Sequence, residues 1–385
     1  MSPLPRLALF YAAVFLLVGI QLPFWPVFLA GRGLSAGEIG FVLAAALWVK
    51  VLVNPLAGLI ADRSDRRRAV MLLFAVANLA GFLLFIPAYG LWPLLLVNAL
   101  TTTTASALLP LGETLALGIA YARRLDYGRI RLWGSVSFIV ASLGAGAFLA
   151  ARSSEIVLAL LIGAAALNVL ACAQLPAPVA APRLTGRAEW RRLLLDRRQL
   201  LFLLAATAIR ASHSVYYGFG TLHWTALGYS AQTIGWLWAE GVVAEIALFA
   251  YGATLLTRLG PARLLILAGG AGIVRWSLMA GTVSLPPLLI AQALHALTFG
   301  AAHLGAMHFM ARALPAEWSA TGQSLYSATV SGIGFGVVMA FSGTLYDALG
   351  GGAYLVMAAI AGLGAAAGFA LSRCWQGGLL TATES

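Results

Sequence analysis

The chain has 385 residues, of which 61% are hydrophobic and only 10% are charged, and its formal net charge at pH 7 is +11. This composition excludes a soluble globular protein, because such proteins are about half apolar and about one-quarter charged. The net charge alone does not distinguish a membrane from a nucleic acid as partner, so the distribution of the charges along the chain has to decide.

Twelve apolar segments are each long enough to cross a bilayer core of about 30 Å as a helix. We number them spans 1 to 12, and they cover residues 7–30, 36–60, 69–88, 92–118, 129–150, 155–175, 199–224, 231–257, 263–283, 286–311, 320–347 and 352–373. The sequence therefore predicts an all-α membrane protein with twelve transmembrane helices in two six-helix bundles. We expect an N-terminal bundle at 1–175, a cytoplasmic central loop at 176–198, a C-terminal bundle at 199–373 and a cytoplasmic tail at 374–385.

The second half of the chain repeats the first half at an offset of 195 residues. Residues 33–40 and 228–235 share five identities in eight positions, and Arg63 then falls on Arg258 without a gap. Parallel halves of hydrophobic helices are typical of secondary transporters, and the substrate site is expected between the halves.

Arginine is concentrated on one side of the predicted membrane topology. With the N-terminus in the cytoplasm, the even-numbered loops carry nearly all loop arginines, and the odd-numbered loops carry only Arg32 and Arg152. The positive-inside rule then places both termini in the cytoplasm and the chain in the cytoplasmic (inner) membrane. The positive charge indicates contact with anionic membrane lipids, and no nucleic-acid partner is expected.

Span 2 contains Lys50, the only lysine of the chain. Lys50 lies 195 residues before Glu245 of span 8, so the repeat places both on equivalent faces of their helices. A charge at bilayer depth costs about 2.5–3.5 kcal/mol on insertion scales, which favours a functional role. The alternatives are a pair that forms and breaks as the halves rock, a proton-sensitive switch, or a structural ion pair that fixes helix packing.

The loop after span 2, residues 58–68, reads GLIADRSDRRR. It resembles the GxLaDRxGRR loop of the major facilitator superfamily, although Asp65 stands where that pattern has its second glycine. The resemblance implies a gating role for Asp62 and Arg63, through pairing across a helix interface. Ordinary membrane anchoring by the basic residues is the alternative.

A narrower resemblance begins at span 5. Residues 125–135 read LDYGRIRLWGS, which is similar to the start of helix 5 in phenylpropionate permeases and, less closely, in lactose permease. The stretches YYGF at 216–219, GVVAE at 241–245 and VRW at 274–276 resemble the phenylpropionate permease group specifically. The resemblance implies a proton-linked uptake carrier.

Glu113 of span 4 and Arg131 of span 5 are the first candidate substrate ligands. Lactose permease has a Glu and an Arg at the same spacing that bind sugar hydroxyls, so the resemblance implies that Glu113 and Arg131 line the substrate site. Arginine is also the natural bidentate partner of a carboxylate. A structural ion pair at the helix hairpin is the alternative.

The second half adds further candidates for substrate binding. Arg210 of span 7 and Arg275 of span 9 are cations inside apolar segments, and Tyr217 and Trp276 lie close to them in sequence. An aromatic ring beside an arginine suits an aromatic acid as solute.

Proton coupling has several candidates. By resemblance, Arg275 and His295 match the helix-9 arginine and helix-10 histidine of lactose permease, but Thr298 stands where that carrier has an acidic proton carrier. Coupling is therefore left to Glu245 or Glu240 of span 8, to a histidine, or is absent. The pKa of an unperturbed histidine, about 6.5, suits a relay, and His295 and His303 of span 10 are the candidates.

These features predict a monomeric carrier that works by alternating access. The favoured function is uptake of a small organic solute, an aromatic monocarboxylate, together with protons. A sugar or nucleoside proton symporter is the nearest alternative, and an efflux carrier comes next. A membrane-embedded enzyme is disfavoured, since the sequence has no HExxH motif, and no cofactor or metal is expected because Cys172 and Cys374 lack metal-ligand spacing.

Overall fold

The structure is a computed structural model that describes residues 3–63, 67–176, 195–251, 258–315 and 318–380. The first half contains α1 (Pro3–Gly31), α2 (Ala36–Arg63), α3 (Arg67–Leu84), α4 (Leu91–Ser106), α5 (Leu108–Arg123), α6 (Tyr127–Ala150) and α7 (Glu155–Ala173). The second half contains α8 (Arg197–Ala211), α9 (Ser214–Ala226), α10 (Ala231–Tyr251), α11 (Pro261–Gly281), α12 (Leu285–Ala293), α13 (Ala302–Ala313), α14 (Ser319–Tyr326), α15 (Phe335–Leu349) and α16 (Ala353–Cys374). Two π-helical segments, Ala296–Ala301 and Ser327–Gly334, interrupt spans 10 and 11.

Ten stretches of the described chain are long and apolar enough to cross a membrane. One of them, Thr321–Cys374, contains both span 11 and span 12, which meet at the short turn Gly350–Gly352. Span 7 is divided into α8 and α9, of 15 and 13 residues, and each is too short to cross alone. Span 8 is described only as far as Tyr251, and the other eleven predicted spans lie within the described residues, so the prediction of an all-α membrane protein is confirmed.

The described helices group into two compact units. The first unit contains α1 to α7 together with Gly218–Ala239, which covers most of α9 and the beginning of α10. The second unit contains α8, the start of α9, and the described chain from Glu240 onward. The predicted bundle boundaries at 175 and 199 stay a prediction, and most of the predicted central loop lies outside the described residues.

The 195-residue repeat is visible in the turns after spans 1 and 7. Gly33 and Gly228 have φ angles of 85° and 86°, a left-handed conformation that glycine adopts without strain. The residue after each glycine donates its N–H to the carbonyl five residues earlier, at 3.2 and 3.0 Å. Ser35 and Ser230 then cap α2 and α10, since their Oγ atoms accept the N–H three residues later at 3.4 and 3.1 Å.

Arg32, in the turn after α1, forms hydrogen bonds with the loop between α3 and α4 and with the first residue of α7. The guanidinium of Arg32 binds both carboxylate oxygens of Glu155, at 2.5 and 2.7 Å. Its Nη1 also donates to the carbonyls of Phe85 and Ala88, between α3 and α4, at 3.0 and 2.6 Å. The hydrogen bond to Glu155 raises the pKa of Arg32 above its ordinary value, so the clamp stays charged at every physiological pH.

Replacing Arg32 with Met should destabilise the protein by about 2 kcal/mol, because two buried carbonyls lose their donor and Glu155 loses its partner. Thermal unfolding of the detergent-solubilised protein measures the effect. Arg152→Met is the control, since Arg152 is exposed and lies over the ring of Phe148 at 5.3 Å. Equal shifts of the unfolding temperature in both variants would contradict the role assigned to the clamp.

Candidate functional site

The polar centre of the second unit is built around Arg275 of α11, which is fully buried. Its Nη1 donates to Nδ1 of His295 at 3.0 Å and to Oγ1 of Thr298 at 2.9 Å. Its Nη2 donates to Oε1 of Gln292 at 3.3 Å. All three acceptors belong to span 10 and are uncharged in this arrangement, so no carboxylate balances the charge of Arg275 among the described residues.

Aromatic rings cover the faces of this guanidinium. The central carbon of Arg275 lies 4.5 Å from the ring centroids of both Tyr216 and Trp276. The hydroxyl of Tyr216 donates to Gln292 at 2.9 Å, and the indole N–H of Trp276 donates to Oγ of Ser212 at 3.0 Å. Cation–π contacts of this kind compensate part of the lost hydration of the cation.

The hydrogen bonds fix the tautomer of His295 and the role of Nδ1 of His213 in the centre. An arginine only donates, so Nδ1 of His295 accepts from Arg275 and the ring carries its proton on Nε2. Nδ1 of His213 lies 2.9 Å from the carbonyl of Ile209 and must donate, and its Nε2 lies 3.2 Å from the hydroxyl oxygen of Thr298. The ring of His295 is neutral in this arrangement, and a proton added to its Nδ1 would displace Arg275.

Arg210, the last charged residue of α8, lies half-buried among three aromatic rings. Its guanidinium carbon is 5.4 Å from the centroids of Tyr217 and Phe299 and 4.9 Å from that of Phe335. Its Nε and Nη1 are buried and have no hydrogen-bond partner among the described residues.

Irregular backbone from three spans meets at Arg210. The break between α8 and α9 falls directly after it, and Tyr217 lies in the first turn beyond that break. Phe299 belongs to the π-helical segment of span 10, and Phe335 follows the π-helical segment of span 11. Non-helical and π-helical backbone inside a membrane protein is typical of sites that bind ligands.

The first unit has its own charged pair, Glu113 and Arg131. Nε of Arg131 lies 4.0 Å from Oε1 of Glu113, and the two side chains are 33% and 40% exposed. The guanidinium carbon of Arg131 lies 4.1 Å from the ring of Phe15 and 5.5 Å from the ring of Tyr11. The hydroxyl of Tyr11 is 3.2 Å from that of Tyr127. The structure thus brings Glu113 and Arg131 together and leaves both accessible.

The acidic candidates of span 8 lie at different depths in α10. Glu240 is half-buried, and its Oε2 has no hydrogen-bond partner among the described residues. Glu245 faces the π-helical segment of span 10, since a Cβ added to Gly300 would lie 3.8 Å from its Cγ. His303 is exposed in α13, one turn beyond Phe299, and its ring stacks on that phenylalanine at 6.5 Å.

The predicted gating residues are less defined. Lys50 is exposed on α2, and its relation to Glu245 stays a prediction. The side chains of Asp62 and Arg63 lie outside the described residues, so their predicted pairing also stays a prediction.

The sequence reasoning missed several members of the two clusters. Gln292 lies one helical turn before His295, and a lone amide in an apolar span was the available signal. Thr298 was considered only as a missing acid, although its hydroxyl connects Arg275 with His213. Phe335 gave no signal, because phenylalanine is ordinary in an apolar span.

Comparisons with known proteins agree on one family. The model described as "MFS_1 like family" matches residues 4–356. A protein of Escherichia coli (strain K12) named "Probable 3-phenylpropionic acid transporter" is 38% identical over 370 residues, which cover 92% of this chain and 94% of that protein. The maltose permease of Geobacillus stearothermophilus is 29% identical over 336 residues, covering 85% of this chain and 83% of the permease.

Solved structures share the fold at low sequence identity. A variant of the nucleoside transporter NupG superposes with a TM-score of 0.85 at 17% identity, covering 97% of this chain and all of that chain. A bacterial homologue of the lysosomal transporter Spinster, inward-facing and unoccupied, gives a TM-score of 0.70 at 18% identity with 96% of each chain covered. At these identities the likeness concerns the arrangement of the helices alone.

Proposed function

Because the chain belongs to the MFS_1 like family of the major facilitator superfamily, we propose that it takes up aromatic monocarboxylates in symport with protons. The membership confirms the predicted fold of two six-helix bundles and the resemblance to the phenylpropionate permease group. The protein is an integral membrane protein and a secondary transporter of a small-molecule solute, not an enzyme.

A surplus of hydrogen-bond donors in the second unit carries the proposal of an anionic solute. Among the buried donor atoms without an acceptor in the described residues, four belong to Arg210, Arg275 and the neighbour of Arg275 on span 10: Nε and Nη1 of Arg210, Nε of Arg275 and Nε2 of Gln292. A buried donor without a partner costs about 1–3 kcal/mol, so proteins rarely retain such groups without a use. Two cations that have spare donors and form no ion pair with a carboxylate of the described residues suit a solute that brings its own carboxylate.

The aromatic part of the solute is supported by the surroundings of these cations. Rings lie over Arg275, over Arg210 and over Arg131, at 4.1–5.5 Å from each guanidinium carbon. Such walls favour a flat apolar group attached to an anion over a strongly hydrated solute. The name of the Escherichia coli relative, 38% identical to this chain, points to the same class of solute.

Proton coupling is proposed to run through His295. Its Nδ1 can take a proton only when Arg275 releases it, so protonation frees a buried cation for the solute. His213 at 6.1 Å, Tyr216 at 6.3 Å and Glu240, next to the Gly241 that packs on the His295 ring, also face this group. Glu245 and His303 remain the alternative proton carriers.

The inner membrane and cytoplasmic termini are part of the same proposal. They rest on the excess of arginine in the even-numbered loops. Labelling of single cysteines at positions 152 and 312 in intact cells with a membrane-impermeant thiol reagent tests the orientation. We expect labelling at 152 and not at 312, and the opposite result would mean that the protein has the reverse orientation in the membrane.

A sugar or nucleoside symporter stays the second candidate because of one observation. The carboxylate of Glu113 is 40% exposed beside Arg131 and offers an acceptor for solute hydroxyls. A carboxylate solute would instead be repelled by Glu113 unless it is bound elsewhere.

Uptake by the purified protein in liposomes with an acidic exterior tests the proposal. We expect labelled 3-phenylpropionate to enter faster than in protein-free liposomes, which measure passive diffusion of the acid. A protonophore should remove the acceleration, and excess maltose or uridine should not compete. Competition by either would favour the second candidate, and accelerated uptake that resists the protonophore would leave a facilitator or a carrier driven by another ion.

A further inference from the structure

We propose that Arg210 is the group that binds the solute carboxylate, through the edge of its guanidinium. This inference rests on the proposed function and assigns the anion-binding role to one of four candidate cations. The comparison of Arg210 with Arg131, Arg275 and Lys50 carries the choice.

The positive charge of Arg131 is already balanced by a neighbouring carboxylate. It lies 4.0 Å from the carboxylate of Glu113, so the pair is close to neutral and offers an incoming anion little net attraction. A solute carboxylate at Arg131 would also lie near Glu113, and two like charges at such distances repel.

Arg275 is enclosed on nearly every side. It is fully buried, rings lie 4.5 Å from it on Tyr216 and Trp276, and its two terminal nitrogens already have acceptors. Only its Nε lacks a partner. A carboxylate needs two adjacent donors for bidentate binding, and Arg275 would have to give up existing bonds to provide them.

Arg210 differs in both respects. Arg210 forms no ion pair with a carboxylate among the described residues, it is half-buried, and both its Nε and its Nη1 lack hydrogen-bond partners there. The rings of Tyr217, Phe299 and Phe335 lie within 5.4 Å of its guanidinium carbon. Nε and Nη1 thus form a pair of adjacent donors without an acceptor among the described residues, and a planar carboxylate matches such a pair better than a hydroxyl does.

The backbone explains why these rings converge. Gly334, the last residue of the π-helical segment before Phe335, approaches α8 so closely that a Cβ would lie 2.2 Å from Cγ2 of Thr207. Thr207 is one turn before Arg210, so this contact sets the position of Phe335 over the guanidinium. The site is therefore built jointly by spans 7, 10 and 11.

Lys50 provides the remaining contrast. It is exposed on α2 and belongs to a helix of the first unit, whereas the spare donors belong to the second. Its ammonium also lacks the planar fork that favours a carboxylate.

Binding of three probes to the purified full-length protein tests the inference: 3-phenylpropionate, 3-phenylpropan-1-ol, which lacks the carboxylate, and hexanoate, which lacks the ring. We expect the parent to bind 3-phenylpropionate most tightly, hexanoate less tightly and 3-phenylpropan-1-ol most weakly. Arg210→Gln should weaken binding of both acids about 30-fold and leave the alcohol unchanged, since a charge-assisted bidentate pair is worth more than one tenfold step. Arg210→Lys keeps the charge without the fork and should lose part of the affinity.

Arg312→Gln is the control, because Arg312 is an exposed arginine of the same unit at the end of α13. Arg131→Gln should change the affinity for acid and alcohol by similar factors. Thermal unfolding establishes whether each variant is folded. If Arg210→Gln does not fold, the affinities of Arg210→Lys test the inference.

Parent-like affinity for the acids in both Arg210 variants would overturn the inference alone. A parent that binds no monocarboxylate would overturn the proposed function as well, and one that binds hexanoate as tightly as 3-phenylpropionate would overturn only its aromatic part.

Discussion

Replacing Arg275 with Met should reduce the initial rate of proton-driven uptake at least about 100-fold while the protein stays folded. The loss of rate corresponds to about 3 kcal/mol, the value of one hydrogen bond to a charged group. The stability should stay within about 2 kcal/mol of the parent, because removing a buried cation without a carboxylate relieves a desolvation cost of several kcal/mol. That gain offsets the acceptors left unpaired on His295, Thr298 and Gln292.

The measurement combines liposome uptake with thermal unfolding of the same preparation. Arg263→Met is the matched control, since Arg263 is an exposed arginine of the same helix and should tolerate the change in both assays. A large fall in unfolding temperature together with the loss of uptake would mean that Arg275 only holds the spans together. Parent-like uptake in Arg275→Met would remove Arg275 from the coupling scheme.

Replacing Arg131 with Lys should lower transport about 100-fold with little change in stability. A lysine keeps the charge but loses the flat guanidinium that lies over Phe15 at 4.1 Å and reaches towards Glu113. Because both charged groups are at least one-third exposed, their ion pair contributes no more than about 1 kcal/mol to folding. Uptake rates in liposomes and unfolding temperatures again separate the two effects.

Arg129→Lys is the control for Arg131, two residues earlier in the same helix. Arg129 is 83% exposed and pairs with Asp126 at 3.6 Å at the beginning of α6. Equal effects of the two substitutions on transport would mean that Arg131 acts only as one of several positive charges at this helix end and has no specific role. Glu113→Gln completes the series and should weaken transport of a hydroxylated solute more than transport of 3-phenylpropionate.

The helices and the grouping of charges were predictable because they follow from local composition. Span lengths come from runs of apolar residues, and the short connection between α5 and α6 brings Glu113 and Arg131 near each other. Arg210 and Tyr217 are only seven residues apart in sequence, but their contact depends on the break between α8 and α9, because two turns of a continuous helix would separate them by about 10 Å.

The shape of the centre was not predictable from the sequence. The break at Ser212 and His213 contains neither proline nor a glycine pair, and the π-helical segment at Phe299 has no local signature either. Both depend on bonds between spans, such as those of Trp276 to Ser212 and of Thr298 to His213. The neutral acceptors of Arg275 could not be predicted from the sequence either, because Glu240 and Glu245 of span 8 suggest an ion pair.

The paired turns at Gly33 and Gly228 show which features the 195-residue repeat keeps in both halves of this protein. Their backbone angles agree within one degree, and the capping serines recur at the same offset. The inner positions have diverged completely: Phe15 corresponds to Arg210, Glu113 to His308 and Arg131 to Tyr326. The repeat therefore keeps the turns that connect the first two spans of each half, whereas each half carries its own set of charged side chains.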